Sequence, residues 1–165
     1  MKAGRAFLAG VVGGAAMTAL MWMARTMIGM PANLEMMLGT MVADPGTTAW
    51  MIGFVMHLMI SGAIALMYAW GFENVTHRAG WTTGATFSVV HIVIAGLVMG
   101  MMPMMHPRMP SPISPPGFFM SNLGMMGIVA LVMLHVVYGA IVGAMYGPVL
   151  HSHTDSAHGR PVASA

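Results

Sequence analysis

Residues 122–146 read NLGMMGIVALVMLHVVYGAIVGAMY, and this stretch decides the fold. It contains no Asp, Glu, Lys or Arg. At about 1.5 Å per residue, a helix of this length crosses a hydrocarbon core of ~30 Å. Three more runs of the same character lie upstream, roughly at residues 6–24, 49–70 and 81–102. Pro103 is the expected stop of the third span and Gly147-Pro148 that of the fourth. No strand-like alternation appears, and backbone groups in lipid must be satisfied within the segment, so the spans are helices. The prediction is an all-α integral membrane four-helix bundle over residues 1–150. A polar, His-containing tail at 151–165 is expected to be disordered.

Composition agrees with that reading. Hydrophobic residues make up 58% of the 165-residue chain and charged residues 6%, roughly a quarter of the charge of a soluble domain. The net charge of +2 leaves no basic field for nucleic acid. A soluble globule, a disordered chain and a nucleic-acid binder are all poor fits to this composition. With no Cys there are no disulfides, thiolate ligands or Cys nucleophiles. The 24 Met residues are several times ordinary usage and call for their own account.

Lys2 and Arg5 precede the first span as they would in a secretory signal. The apolar run is too long for a signal core and no A-x-A site follows, so the first helix is expected to stay as an anchor. An N-terminus inside puts Lys2, Arg5, Arg78 and Arg160 in the cytoplasm and Arg25 and Arg108 outside. That is the favoured sense, with both termini cytoplasmic. Trp50, Trp70 and Trp81 fall at span ends, as interfacial aromatics do. Residues Ala32 to Val42, in the first outer connection, are expected to form a short interfacial helix. The second outer link, residues 103–121, holds six prolines and should be irregular.

The second and fourth spans share a pattern. His57 is followed after ten residues by Tyr68, His135 likewise by Tyr146, and Met precedes each Tyr. Eleven residues are close to three helical turns, so each His and its Tyr share a face. This suggests a two-helix unit used twice in parallel orientation. Gly10 with Gly14 and Gly139 with Gly143 form small-residue faces, suited to bundle packing or to a homodimer.

The segments Met56-His57-Leu58…Met67-Tyr68 and Leu134-His135-Val136-Val137-Tyr138-Gly139…Met145-Tyr146 resemble an uncharacterised group of small bacterial four-helix inner-membrane proteins, broadly YagU-like. The run Gly100 to Pro107 is similar to the same group. The resemblance covers about residues 6–148. It implies the bundle and a multi-pass location in the bacterial cytoplasmic membrane. It implies no activity and no site residues.

Candidate chemistry rests on histidine and methionine. His57, His91 and His135 each sit in a different span. An imidazole in lipid is costly and faces the bundle interior. It is satisfied by a backbone carbonyl, Tyr138 or Ser61, or it binds a metal or haem, or it handles protons. Most Met residues fall near the outer side, and Met101, Met102, Met104, Met105 and His106 lie within six residues. Thioether sulfur is a soft ligand that selects Cu(I), although Met is also a flexible apolar filler. The expected metal set is therefore His57, His91, His135, Met101, Met102, Met104, Met105 and His106, with copper as the cofactor. The alternatives are a b-type haem clamped by His91 and His135, or no cofactor in an accessory subunit docked to a partner or a second copy. Glu35 and Asp44 are expected to be solvated. The tail's His151, His153 and His158 could take a divalent metal. No carboxylate pair, triad or phosphate loop is present, so an enzyme is not expected.

Overall fold

The structure is a computed structural model, and it describes residues 1–109, 111 and 113–150. The predicted tail at 151–165 lies outside the described residues. The described residues form five α-helices: α1 Ala3–Ile28, α2 Leu34–Gly39, α3 Thr47–Gly71, α4 Trp81–Met105 and α5 Gly124–Tyr146. Four of them are long and apolar enough to cross a membrane. No strand occurs among the described residues. The apolar face of α4, with Val89, Val90, Val93 and Leu97, is exposed on the bundle's outside. A contiguous face of this kind is untenable in water and ordinary in lipid.

Local chemistry sets the helix ends. Gly29, at φ 68°, closes α1 in the left-handed region that costs glycine nothing. The Asn33 side chain accepts from the Met36 amide at 3.1 Å and starts α2. The interfacial helix expected over Ala32 to Val42 is thus present, trimmed to Leu34–Gly39. Two boundaries differ from expectation. First, α4 runs through Pro103 to Met105. A proline one turn from the end deletes a single ladder bond, and the His106 amide still reaches the Met102 carbonyl at 2.9 Å. Second, α5 begins at Gly124, after a 3-10 turn over Phe118–Leu123. Phe119 and Met120 hold φ of 53° and 60° there, which side chains rarely adopt. Packing enforces it: the Phe118 and Phe119 rings lie where side chains at Gly100 and Gly96 would be, in a groove that α4 opens for them.

The helices stand in the spatial order α3, α1, α5, α4. The main contacts are α1 on α3, α1 on α5 and α4 on α5, while α3 meets α4 and α5 only sparsely. The two hairpins, α1–α3 and α4–α5, use one packing device. A Cβ at Gly10 would overlap the Ser61 carbonyl and Ala65, and a Cβ at Gly84 would overlap the Gly139 carbonyl and Gly143. The offset that carries His57 to His135 also carries Ser61 to Gly139 and Ala65 to Gly143. One turn further along, Gly14 faces the Ser61 side chain, and Ser88 faces Gly139. The repeat suspected from the His–Tyr spacing is therefore a repeat of contacts. Its counterpart in α1 and α4 is only Gly10 with Gly84 and Gly14 with Ser88, too short to align by eye. These glycine faces are consumed inside the bundle, which is the bundle-packing role. The hairpins join where the Tyr138 ring fills the gap left by Gly13.

Candidate functional site

Three polar layers run through the bundle. The first lies at the Met-rich end. Short α2 crosses α3 at two glycines: a Cβ at Gly39 would overlap the Ala49 carbonyl, and one at Gly53 the Glu35 carbonyl. This close docking turns Glu35 inward. Glu35 is 3% exposed, so the expectation that it is solvated is overturned. The Thr18 hydroxyl donates to Glu35 Oε1 at 2.7 Å and lies 3.1 Å from His57 Nδ1. Because that hydroxyl proton goes to Glu35, Nδ1–H of His57 is the donor to Thr18. His57 Nδ1 is 3.7 Å from the carboxylate itself. Burial by itself would raise the Glu35 pKa. The neighbouring His57 imidazole and hydrogen bonds from Thr18 and a backbone amide outweigh burial and hold the carboxyl below its ordinary value.

The second layer is aromatic and lies deeper. His91 and His135 meet edge-on with ring centroids 4.5 Å apart. Tyr68 Oη and His91 Nδ1 share a hydrogen bond of 3.3 Å. The Tyr138 ring stands 5.2 Å from that of His91 and 5.6 Å from that of Tyr68. Tyr138 Oη donates to the Ser61 carbonyl. His135 Nδ1 donates to the Leu131 carbonyl at 2.7 Å, which fixes its tautomer and leaves Nε2 with a lone pair. The His91–His135 spacing leaves no room for a macrocycle between the rings. Two axial nitrogens at about 2 Å from a metal stand about 4 Å apart, with their centroids farther still.

The third layer closes the opposite end. Glu73, 2% exposed, accepts from Tyr146 Oη and from the Leu150 amide at 2.8 Å. The Lys2 amide donates to Tyr146 Oη at 3.0 Å, and Arg5 Nε to the Met145 carbonyl at 2.7 Å. Met1 and Leu150 thus lie at one end, with Lys2, Arg5 and Arg78, while Arg25 and Arg108 lie at the other.

The predicted metal set does not gather in one place. His57 is engaged with Thr18 and Glu35, while His91 and His135 contact each other. His106 is a latch between the two outer connections. Its Nδ1 accepts from the Arg108 amide at 3.1 Å, and its Nε2 donates to the Met37 carbonyl at 2.9 Å. Arg108 continues the latch, with Nε on the Thr40 carbonyl at 3.0 Å and an ion pair to Asp44 at 3.0 Å. Met102 is buried, whereas Met101, Met104 and Met105 are exposed. No group of three or more His, Asp or Glu poised to hold a metal occurs among the described residues.

A cavity of about 310 Å³ lies beneath a cap formed by α2 and the second outer connection. Met17, Met21, Met36, Met37, Met99 and Met120 line it with His135, and among the described residues no Asp, Glu, Lys or Arg does. Sequence reading missed Met17 and Met21, although their spacing of four puts both on one face of α1. It also missed Thr18, the only hydroxyl in the middle of the first span, and Glu73.

Fold and polar layers together define a small four-helix membrane bundle with a capped, methionine-lined interior. The chain belongs to a family of unknown function, DUF6789, whose model matches residues 1–158. No curated protein and no solved structure matches it.

Proposed function

We propose that this protein is a multi-pass protein of a bacterial cytoplasmic membrane that holds Cu(I) under its cap, with Met1 and Leu150 on the cytoplasmic side. The orientation follows from Lys2, Arg5 and Arg78 at one end against Arg25 and Arg108 at the other. The observation that carries the metal reading is the cavity wall, in which six thioethers accompany one imidazole. The bond from His135 Nδ1 to the Leu131 carbonyl is the kind of outer contact that orients a metal-binding histidine. Soft thioethers favour Cu(I) over harder divalent ions, and a monovalent ion suits a wall without carboxylates. The ligands are drawn from Met17, Met21, Met99, Met120 and His135. Exposed Met101, Met104 and Met105 would present thioethers to the arriving ion. Haem is the weaker cofactor, since His91 and His135 touch each other.

A cofactor-free accessory subunit is the second reading. It is favoured by the fact that His57, His91 and His135 each already have a protein partner. The two readings separate in one experiment. Protein purified in mild detergent without a metal-affinity step is titrated with Cu(I) against a chromophoric chelator under reducing conditions. One Cu(I) per chain is expected. Met17→Leu and His135→Leu should each weaken binding about tenfold or more, since removing even an outer-contact partner costs that much. Leu conserves the volume of Met, so the bundle persists. Complete retention of copper by the chelator removes the metal reading and leaves the accessory subunit.

A further inference from the structure

The Met-rich end carries a second, larger recess that the metal reading does not use. It is an open groove of about 800 Å³ between the end of α1 and the start of α3. Trp22 and Trp50 flank it, and Arg25, Asn33 and Thr47 supply its polar wall. No acidic residue lines it. The ion pairs among the described residues are His57 with Glu35 and Arg108 with Asp44, so the half-buried Arg25 guanidinium has no carboxylate. Asn33 spends its carboxamide oxygen on capping α2, and its NH2 has no partner among the described residues. The groove thus offers donors and positive charge without a matching acceptor.

Its position selects the occupant. The groove sits where two membrane-spanning helices end, at headgroup depth, and both tryptophans are more typical of that depth than of water or hydrocarbon. We propose that it binds the headgroup of an anionic phospholipid. Arg25 and the Asn33 NH2 would take the phosphate oxygens. Trp22 and Trp50 would lie along the glycerol and upper chains, and the tails would run down the exposed faces of α1 and α3. A guanidinium forms forked, charge-assisted bonds to phosphate, worth more than neutral ones. A zwitterionic lipid brings its own cation to the same place and loses that advantage. Pro31, Asn33 and Met36 border both recesses, whereas Arg25, Trp22 and Trp50 line the groove alone.

The test uses the full chain in mild detergent. Native mass spectrometry is run with equimolar phosphatidylglycerol and phosphatidylcholine. One phosphatidylglycerol should be retained with a preference of about tenfold, the scale of one charge-assisted contact. Arg25→Gln should bring the preference to within about twofold, whereas Arg78→Gln at the opposite end should leave it intact. The wild-type thermal midpoint supplies a check that needs no variant: phosphatidylglycerol should raise it, and inorganic phosphate and phosphatidylcholine should not. Equal retention of the two lipids, a preference that survives Arg25→Gln, or stabilisation by inorganic phosphate alone would each overturn the proposal.

Discussion

Gly84→Leu is expected to separate α4 from α5. A Cβ at Gly84 would overlap the Gly139 carbonyl, and one at Gly139 would overlap the Gly84 carbonyl. Both obstacles are backbone, so no rotamer change relieves them and the helices must move apart. Overpacking a core costs about 1–3 kcal/mol where side chains can yield, and a backbone clash sits at or above the top of that range. The thermal midpoint in detergent should fall by about 10 °C. Gly10→Leu should behave alike, because Gly10 meets the Ser61 carbonyl in the other hairpin. Gly4→Leu is the control, since nothing lies within 4 Å of a Cβ there. A Gly84→Leu protein that melts with the wild type would mean that the two helices do not touch as described.

The second large effect is at Glu35. Glu35→Ala leaves the buried Thr18 hydroxyl without its acceptor and removes the carboxylate beside His57, at a cost of about 2 kcal/mol. Replacing both partners by apolar groups is cheaper than replacing one. The pair Glu35→Leu with His57→Leu should therefore recover much of the loss, and the double-mutant cycle should show coupling of about 1.5 kcal/mol or more. The pH dependence follows from the lowered pKa. Unfolding returns the carboxyl to its ordinary value of 4.5, so the native state releases the Glu35 proton more readily than the unfolded chain does. The contribution is complete above pH 4.5 and is lost as pH falls through the lower folded value. Glu35→Gln should flatten that acid limb of the stability curve. An unchanged limb would show that the buried carboxylate contributes nothing to it.

The polar layers show why some of this was legible and some was not. His91, His135 and Tyr138 stand out in the sequence because an imidazole or phenol in lipid has few options. The bond from His135 to the Leu131 carbonyl is one of those foreseen. The burial of Glu35 is not legible in the sequence because its placement depends on Gly39 and Gly53, which let α2 sit directly on α3. A loop carboxylate looks solvated until that crossing is known. Proximity in the chain groups His106 with its methionine neighbours, yet both its nitrogens are committed across 66 to 69 residues to Thr40 and Met37 or locally to Arg108. Met17 and Met21 joined the cavity through the docking of α1 on α5, a contact that no local pattern in α1 encodes.

What the sequence determined by itself is the number of spans, their helical state and their alternating direction. Each of these follows from a local requirement: about 20 apolar residues per crossing and internally satisfied backbone groups. The tertiary structure decided which face of each helix meets which neighbour, and with it the three layers, the cap and the cavity. In lipid no hydrophobic drive distinguishes one apolar face from another, so the arrangement is set by close backbone approach at Gly10, Gly84, Gly139 and Gly53 and by a few buried polar bonds. Those contacts join residues far apart in the chain, and the membrane-spanning pattern is silent about them.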